Sequence, residues 1–370
     1  MQLSGIRQKK GNRKGLRFYL PFFSAKSSII HFMKLEPSLE ARFQGCFLGL
    51  AIGDSLGYPT EFLSLSEIQK RYGMSGIEDL PGNPALHSDD TQMSMSVATA
   101  LIQAGHAGVE RWMNVLVREF VKWLRSPEND RAPGNTSIKG CMHLESGIPW
   151  TESGIVQSKG CGAIMRVAPI GLYFHSDPAE LRTAAWASAL STHAHPAALV
   201  CAEVTAFCVA WAISGIPPSE FCERTKKLHS ESTSAWEPVL GESWKRAGYS
   251  SPKEYLDAGW SQLLSELDKI SQSLAQDPSD VCEILGGGWG SDEALACALA
   301  CLIEFPEDYS AAIKRGANTS GDSDSIASIA GAISGAFLGT EAIPKDWRKR
   351  IENRRALLSL SKKLYQTHQK

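Results

Sequence analysis

No acidic residue precedes Glu36 in this chain of 370 residues, whereas Arg7, Lys9, Lys10, Arg13, Lys14, Arg17, Lys26 and Lys34 all do. The remainder carries 30 bases against 40 acids, so the formal charge of −2 averages a basic arm with an acidic body. A charged fraction of 21% and that small sum exclude an acidic disordered chain and a uniformly basic nucleic-acid binder. Cys-x-x-Cys spacing is missing among the nine cysteines, and most of them fall in apolar stretches. This argues against a zinc ribbon or disulfide framework and for buried thiols in a reducing, cytoplasmic setting. Neither a Gly-Lys-Ser/Thr phosphate loop nor a Gly-x-Gly-x-x-Gly fingerprint occurs, which speaks against a kinase or dinucleotide-dependent dehydrogenase. No sustained alternation of period two appears, so the expected fold class is all-α.

One apolar run, Ala197 to Ile216, has membrane-spanning length. Glu203 interrupts it, and an acid at mid-bilayer costs roughly 2.5 kcal/mol or more. With the Ala-, Gly- and Ser-rich run Ile326 to Leu338, it reads as a buried central helix, and no membrane partner is expected. The arm resembles a transit peptide in composition, but its apolar piece Tyr19 to Phe23 is short and broken by Pro21, unlike a secretory signal. Residues 1–36 read as a flexible interaction arm, or as translation-start excess with Met33 as an alternative start. Residues 37–370 read as one domain.

Within that domain Ser38 caps a helix whose apolar residues Phe43, Cys46, Phe47, Leu50 and Ala51 recur at helical spacing. Further helices are expected at Thr91–Ile102, Val109–Leu124, Pro178–Leu190, Pro196–Ile213, Pro252–Leu274, Asp292–Phe305, Asp324–Leu338 and Asp346–Tyr365. Segments 126–140, 145–162 and 276–290 read as loops.

Carboxylates crowd immediately before two of these helices, at Ser88-Asp89-Asp90-Thr91 and at Gly321-Asp322-Ser323-Asp324-Ser325. A helix start needs one capping side chain, worth about 0.5–2 kcal/mol. Adjacent acids repel unless a cation lies between them. Carboxylates with hydroxyls form a hard oxygen set that suits Mg²⁺, Mn²⁺ or Ca²⁺ and not zinc. Two such ions about 3.5–4 Å apart can hold a substrate and activate a water. Glu61, leaving the first helix, reads as a further acid of the site or a solvated loop acid, and Asp54 as either another site acid or a capping and packing partner.

These residues carry a resemblance. Gly45 to Gly57, Ser88-Asp89-Asp90-Thr91, Gly160 to Gly171, Thr192-His193-Ala194-His195-Pro196, Gly288-Trp289 with Glu293-Ala294-Leu295, and Gly321 to Ser325 resemble, in order, the motifs of the ADP-ribosylglycohydrolase family. The resemblance spans about residues 40–340. It implies a single compact all-α domain with a dinuclear Mg²⁺ centre (Mn²⁺ as a substitute) that binds ADP-ribose and cleaves its bond to a protein side chain. By position, Ser88, Asp89 and Asp90 would hold one metal, and Asp322, Asp324 and Ser325 the other. Serines stand at 323 and 325 where the family usually has threonines. Glu61 or Asp324 would take a proton from water. Gly160, Cys161, Gly162 and His193 would contact the substrate, the glycines by letting backbone N–H groups approach a pyrophosphate. Pro133-Gly134-Asn135-Thr136 matches a loop flanking the cleft, and His195 reads as structural.

Some family members are immunity proteins against ADP-ribosyltransferase toxins. Here Arg13, Lys14 and Arg17 beside Phe18, Tyr19, Phe22 and Phe23 suggest a plug for a cognate toxin's active site. The expected activity is removal of ADP-ribose from protein side chains, arginine foremost. The alternatives are a regulatory hydrolase without a toxin partner and a catalytically silent ADP-ribose binder.

Overall fold

The structure is a computed structural model that describes residues 36–231, 237–276 and 278–369. Residues 1–35, and with them the toxin-plug reading, lie outside the described residues. The elements that position the site are α1 (Leu39–Gly57), α2 (Asp89–Ala104), α3 (Val109–Leu124), α4 (Pro178–Leu190), α5 (Pro196–Ile213), α6 (Pro252–Gln276), α7 (Ser291–Glu304), α8 (Ser323–Leu338) and α9 (Arg354–His368). Among the described residues there are isolated bridges but no β-strand, and the all-α expectation holds.

The centre of the domain is an unusually close helix pair. Gly45, Gly49, Gly53 and Gly57 recur every four residues and therefore line one face of α1. They meet, in reverse order, Gly335, Gly331, Ala327 and Ser323 of α8. A Cβ on any of the four α1 glycines would strike the facing α8 carbonyl. The pair is thus antiparallel and in backbone contact, and Tyr309 clamps it by donating its hydroxyl to the Gly49 carbonyl at 2.9 Å. This register brings the end of α1 against the start of α8.

The apolar helix α5 passes through the core with 94% of its residues buried, as expected for a central helix. Its interrupting acid is satisfied there. Glu203 accepts from Arg182 Nε on α4 at 2.5 Å and from Trp186 Nε1 at 3.0 Å.

The expected loops 145–162 and 276–290 each carry one short α-helix, Trp150–Ser153 and Cys282–Leu285, and two further expectations are corrected. The stretch 126–140 is not loop throughout, because a helix begins at Asn135 and runs to Glu145. The expected helix Asp346–Tyr365 is broken into Lys345–Arg350 and α9. At the break Asn353 adopts a left-handed backbone (φ 54°), which asparagine tolerates better than most residues. The interruption frees Arg350 and Glu352 to pair with Ala85, through Ala85 N to Arg350 O (2.8 Å) and Glu352 N to Ala85 O (2.9 Å). That pairing props the segment leading into Ser88.

Candidate active site

Three helix ends converge. The α1–α8 register sets the turn after Gly57 beside the N-terminus of α8, and Asp54 ties both to the N-terminus of α2. Asp54 is fully buried, and its Oδ1 accepts the Ser88 amide at 2.8 Å. Its Oδ2 accepts the Thr91 amide at 3.0 Å and the Thr91 hydroxyl at 2.5 Å. Of its two readings from sequence, the structure supports the packing partner. Ser88 is the α2 N-cap, receiving the Asp90 amide at 3.4 Å, and it is not among the residues lining the cavity. Ser323 likewise faces inward, donating to the Gly57 carbonyl at 2.9 Å.

The remaining candidates face one cavity of about 340 Å³: Glu61, Asp89, Asp90, Gly160, Cys161, Gly162, His193, Asp322, Asp324 and Ser325. The loop Pro133 to Thr136 lines it too. One carboxylate oxygen each from Glu61, Asp322 and Asp324 lies within 4.8 Å of the other two. Asp90 reaches the same cluster, accepting from Ser325 Oγ at 3.4 Å. Asp89 accepts the Gly134 amide at 3.2 Å, and Cys161 donates its thiol to Asp322 at 2.7 Å. A larger groove of about 870 Å³ lies along α2 and α3, but of its three acids Glu119 and Glu145 are paired with Lys122 and Arg125, and only Glu128 forms no ion pair among the described residues. Among the described residues the smaller cavity gathers several acids, Glu61, Asp89, Asp90, Asp322 and Asp324, with no lysine or arginine lining it.

Burial and that crowding raise the pKa values of the cluster. Burial pushes Asp89 up to about 8, against the hydrogen bond from Gly134. Burial, and then the charges of Asp322, Asp89 and Asp54, push Glu61 up to about 9. Asp90 and Asp324 are held well above the ordinary range by burial and by neighbouring acids. The bases flanking the cavity in sequence are engaged elsewhere, Arg131 with Glu352 and Lys159 with Asp292. Asp90 Oδ2 and Glu61 Oε2 are buried without a hydrogen-bond partner. Unpaired buried carboxylate oxygens are costly, and crowded ones more so. The donor set, all carboxylate and hydroxyl oxygen apart from one thiol, fits hard divalent cations.

On the opposite wall Gly160 and Gly162 are glycines because His193 packs against them. A Cβ on Gly162 would lie 2.9 Å from His193 Cε1, and one on Gly160 3.2 Å from Nε2. The His193 ring is held neutral, its pKa driven well below the usual imidazole range by burial and by the Arg166 charge. His195 caps α5, its Nδ1 accepting the Ala197 amide at 3.2 Å.

Three features of the site escaped the reading from sequence. Ser137, whose buried hydroxyl has no partner, lines the cavity; the polar run after Gly134 was its only signal. Phe62 and Trp289 stack at the rim with centroids 5.3 Å apart and planes at 18°, although both are largely solvent-exposed. Arg166 and Thr192 back His193 from behind. Distant pairings of this kind leave no periodic trace.

The family model described as ADP-ribosylglycohydrolase matches residues 35–370, almost the whole described body. The chain belongs to the ADP-ribosylglycohydrolase family. An ADP-ribosyl-[dinitrogen reductase] glycohydrolase of Rhodospirillum rubrum is 27% identical over 85% of this chain and 92% of its own. The ADP-ribosylarginine hydrolase Tri1 of Serratia proteamaculans is 24% identical over 90% of this chain and 81% of its own. A solved chain from an ADP-ribosylglycohydrolase-related protein complex superposes with a TM-score of 0.64 at 22% identity. It covers 89% of this chain and 99% of its own, and it shows the fold. As an ADP-ribosylglycohydrolase, the protein is a glycosidic-bond hydrolase acting on ADP-ribosyl groups.

Proposed function

We propose that the protein releases ADP-ribose from arginine side chains of modified proteins, with two Mg²⁺ ions held by Asp89, Asp90, Asp322, Asp324 and Ser325 and with Glu61 beside them as the base. Mn²⁺ would substitute, being equally suited to oxygen ligands. The observation that carries this reading is the buried carboxylate cluster, in which Asp90 Oδ2 has no partner. When bound, the metals would fix the ribose hydroxyls and lower the pKa of water near the anomeric carbon.

The chain's own residues do the rest. Cleavage at an anomeric carbon passes through an oxocarbenium-like state, which the surrounding carboxylates stabilise. Asp324 Oδ1 is occupied by the Ser325 amide at 2.9 Å, whereas Glu61 Oε2 is unoccupied. Glu61 is therefore the better placed base to take the proton of the attacking water. An arginine leaving group already carries its proton as guanidinium and departs as neutral guanidine, so a base alone is sufficient. A serine leaving group would need a proton delivered as well. His193 and the Gly160–Gly162 backbone would bind the pyrophosphate. The similarity to an ADP-ribosylarginine hydrolase supports the same linkage.

The test is release of ADP-ribose from an arginine-modified protein. Asp324→Ala should abolish it, and persistence would remove the carboxylate assignment.

A narrower reading concerns residues 1–36 as a toxin-blocking arm of an immunity protein. It rests on eight bases without an acid before Glu36. Deleting residues 1–35 should leave hydrolysis intact and abolish binding to an arginine-specific ADP-ribosyltransferase; unchanged binding would refute it.

A further inference from the structure

Behind the glycine wall lies a chain of buried side chains that the hydrolytic chemistry does not use. Arg166 is fully buried, yet among the described residues it forms no ion pair with a carboxylate. Its Nη2 donates to the Ser188 carbonyl at 2.8 Å and to Thr192 Oγ1 at 2.7 Å, and its guanidinium lies 4.8 Å from the centroid of the Phe120 ring. Thr192 Oγ1 is in turn 2.8 Å from His193 Nδ1. On the far side of the ring, Nε2 has no hydrogen-bond partner among the described residues, and His193 lines the cavity beside Ser137.

The direction of this chain follows from what each group can give. A guanidinium only donates, so Thr192 Oγ1 must accept from Arg166. The hydroxyl hydrogen then needs an acceptor, and the available one is His193 Nδ1. An Nδ1 that accepts leaves the ring proton on Nε2. A carboxylate in the place of Thr192 would do the reverse, holding a proton on Nδ1 and favouring imidazolium. The cationic relay instead keeps the ring neutral, which spares a cavity that must admit divalent cations.

We propose that Arg166 and Thr192 are positioning residues that lock His193 as its neutral Nε2–H tautomer, so that it donates a hydrogen bond to an anionic phosphate oxygen at the Gly160–Gly162 wall. The Ser137 hydroxyl, which would stand 2.8 Å from a Cβ on Gly162, faces the same spot and supplies a second donor. The identity of the ligand rests on the proposed function. The tautomer does not, since it is a property of the unliganded protein.

The experiment is ¹⁵N–¹H correlation of ring nitrogens in the full-length, histidine-labelled protein, with ADP-ribose and Mg²⁺ titrated separately. In the wild type His193 should show a protonated Nε2 and a bare Nδ1 near neutral pH. Thr192→Val keeps the shape but removes the hydroxyl; it should release the Nδ1–H tautomer and weaken ADP-ribose binding about tenfold while Mg²⁺ affinity holds, as expected for loss of one charge-assisted hydrogen bond. Thr192→Ser should restore both properties. A protonated Nδ1 in the wild type, or an unchanged tautomer in Thr192→Val, overturns the proposal. A changed tautomer with unchanged ADP-ribose affinity overturns the phosphate-donor role.

Discussion

Asp54 on α1 holds Thr91 on α2 twice, through its amide at 3.0 Å and its hydroxyl at 2.5 Å, and so fixes where Asp89 and Asp90 point. The contact is fully buried, and the other oxygen of Asp54 takes the Ser88 amide. Asp54→Asn keeps the shape but cannot accept on both sides. It should cost about 1–3 kcal/mol of stability, the penalty for a buried donor left unsatisfied. Metal affinity should fall with it, because the α2 carboxylates lose their anchor. Chemical denaturation and a Mg²⁺ titration of the same variant measure the two effects.

The glycine stripe makes a parallel prediction at greater distance. Gly49 lies in mid-helix and touches none of the candidate ligands, yet a Cβ there meets the Gly331 backbone. Gly49→Ala should destabilise the domain by about 1–3 kcal/mol as overpacking does. The same substitution at a solvent-facing helical glycine would be mildly stabilising. Thermal unfolding decides the sign.

The raised carboxylates predict how stability depends on pH. Glu61 is raised from 4.5 to about 9 and Asp89 from 3.8 to about 8 in the folded protein. Their protonated forms are favoured by folding, so the stability they lend is full below the ordinary carboxylate range and is lost as pH rises toward 9. The metal-free protein should therefore lose melting temperature between about pH 5 and 9, in line with that linkage. Saturating Mg²⁺ should flatten or reverse the slope, with protons released on binding. Scanning calorimetry with and without chelator follows it.

How much of this was legible beforehand depended on whether a signal was local. The helix starts at Ser38, Pro178 and Pro196 announced themselves by caps and prolines, and the runs behind them had helical period. The crowded acids Asp89, Asp90, Asp322 and Asp324 were visible because no cap needs so many. Helix Asn135–Glu145 was hidden by its Pro-Gly-Asn start and its weakly patterned faces. The break at Asn353 is imposed by pairing with Ala85, far away in sequence. The role of Asp54 was ambiguous for the same reason, since its partners lie 34 and 37 residues on. Arg166 lay inside the Gly160 to Gly171 motif without a role of its own; its hydrogen bond to Thr192 gives it one.

Phe62 and Trp289 stack across the cavity rim, joining the loop that carries Glu61 to the glycine-rich loop before α7. Such a pair is worth about 0.5–1.5 kcal/mol, enough to bias a rim but not to hold a fold. Trp289→Ala should leave the melting temperature within a degree or two, on the order expected for a surface change. It should raise KM for the modified protein more than it lowers kcat, as steady-state kinetics would show.

The proposed activity requires the carboxylate cavity to be a metal-dependent centre for ADP-ribosylarginine. The most direct measurement is parallel hydrolysis of arginine-, serine- and DNA-linked ADP-ribose by the full-length protein, first with Mg²⁺ and then with excess chelator. Release from arginine should be rapid and release from the other two slow or absent, and chelation should abolish activity that Mg²⁺ restores. Equal release with chelator, or preference for another linkage, would contradict the proposed activity.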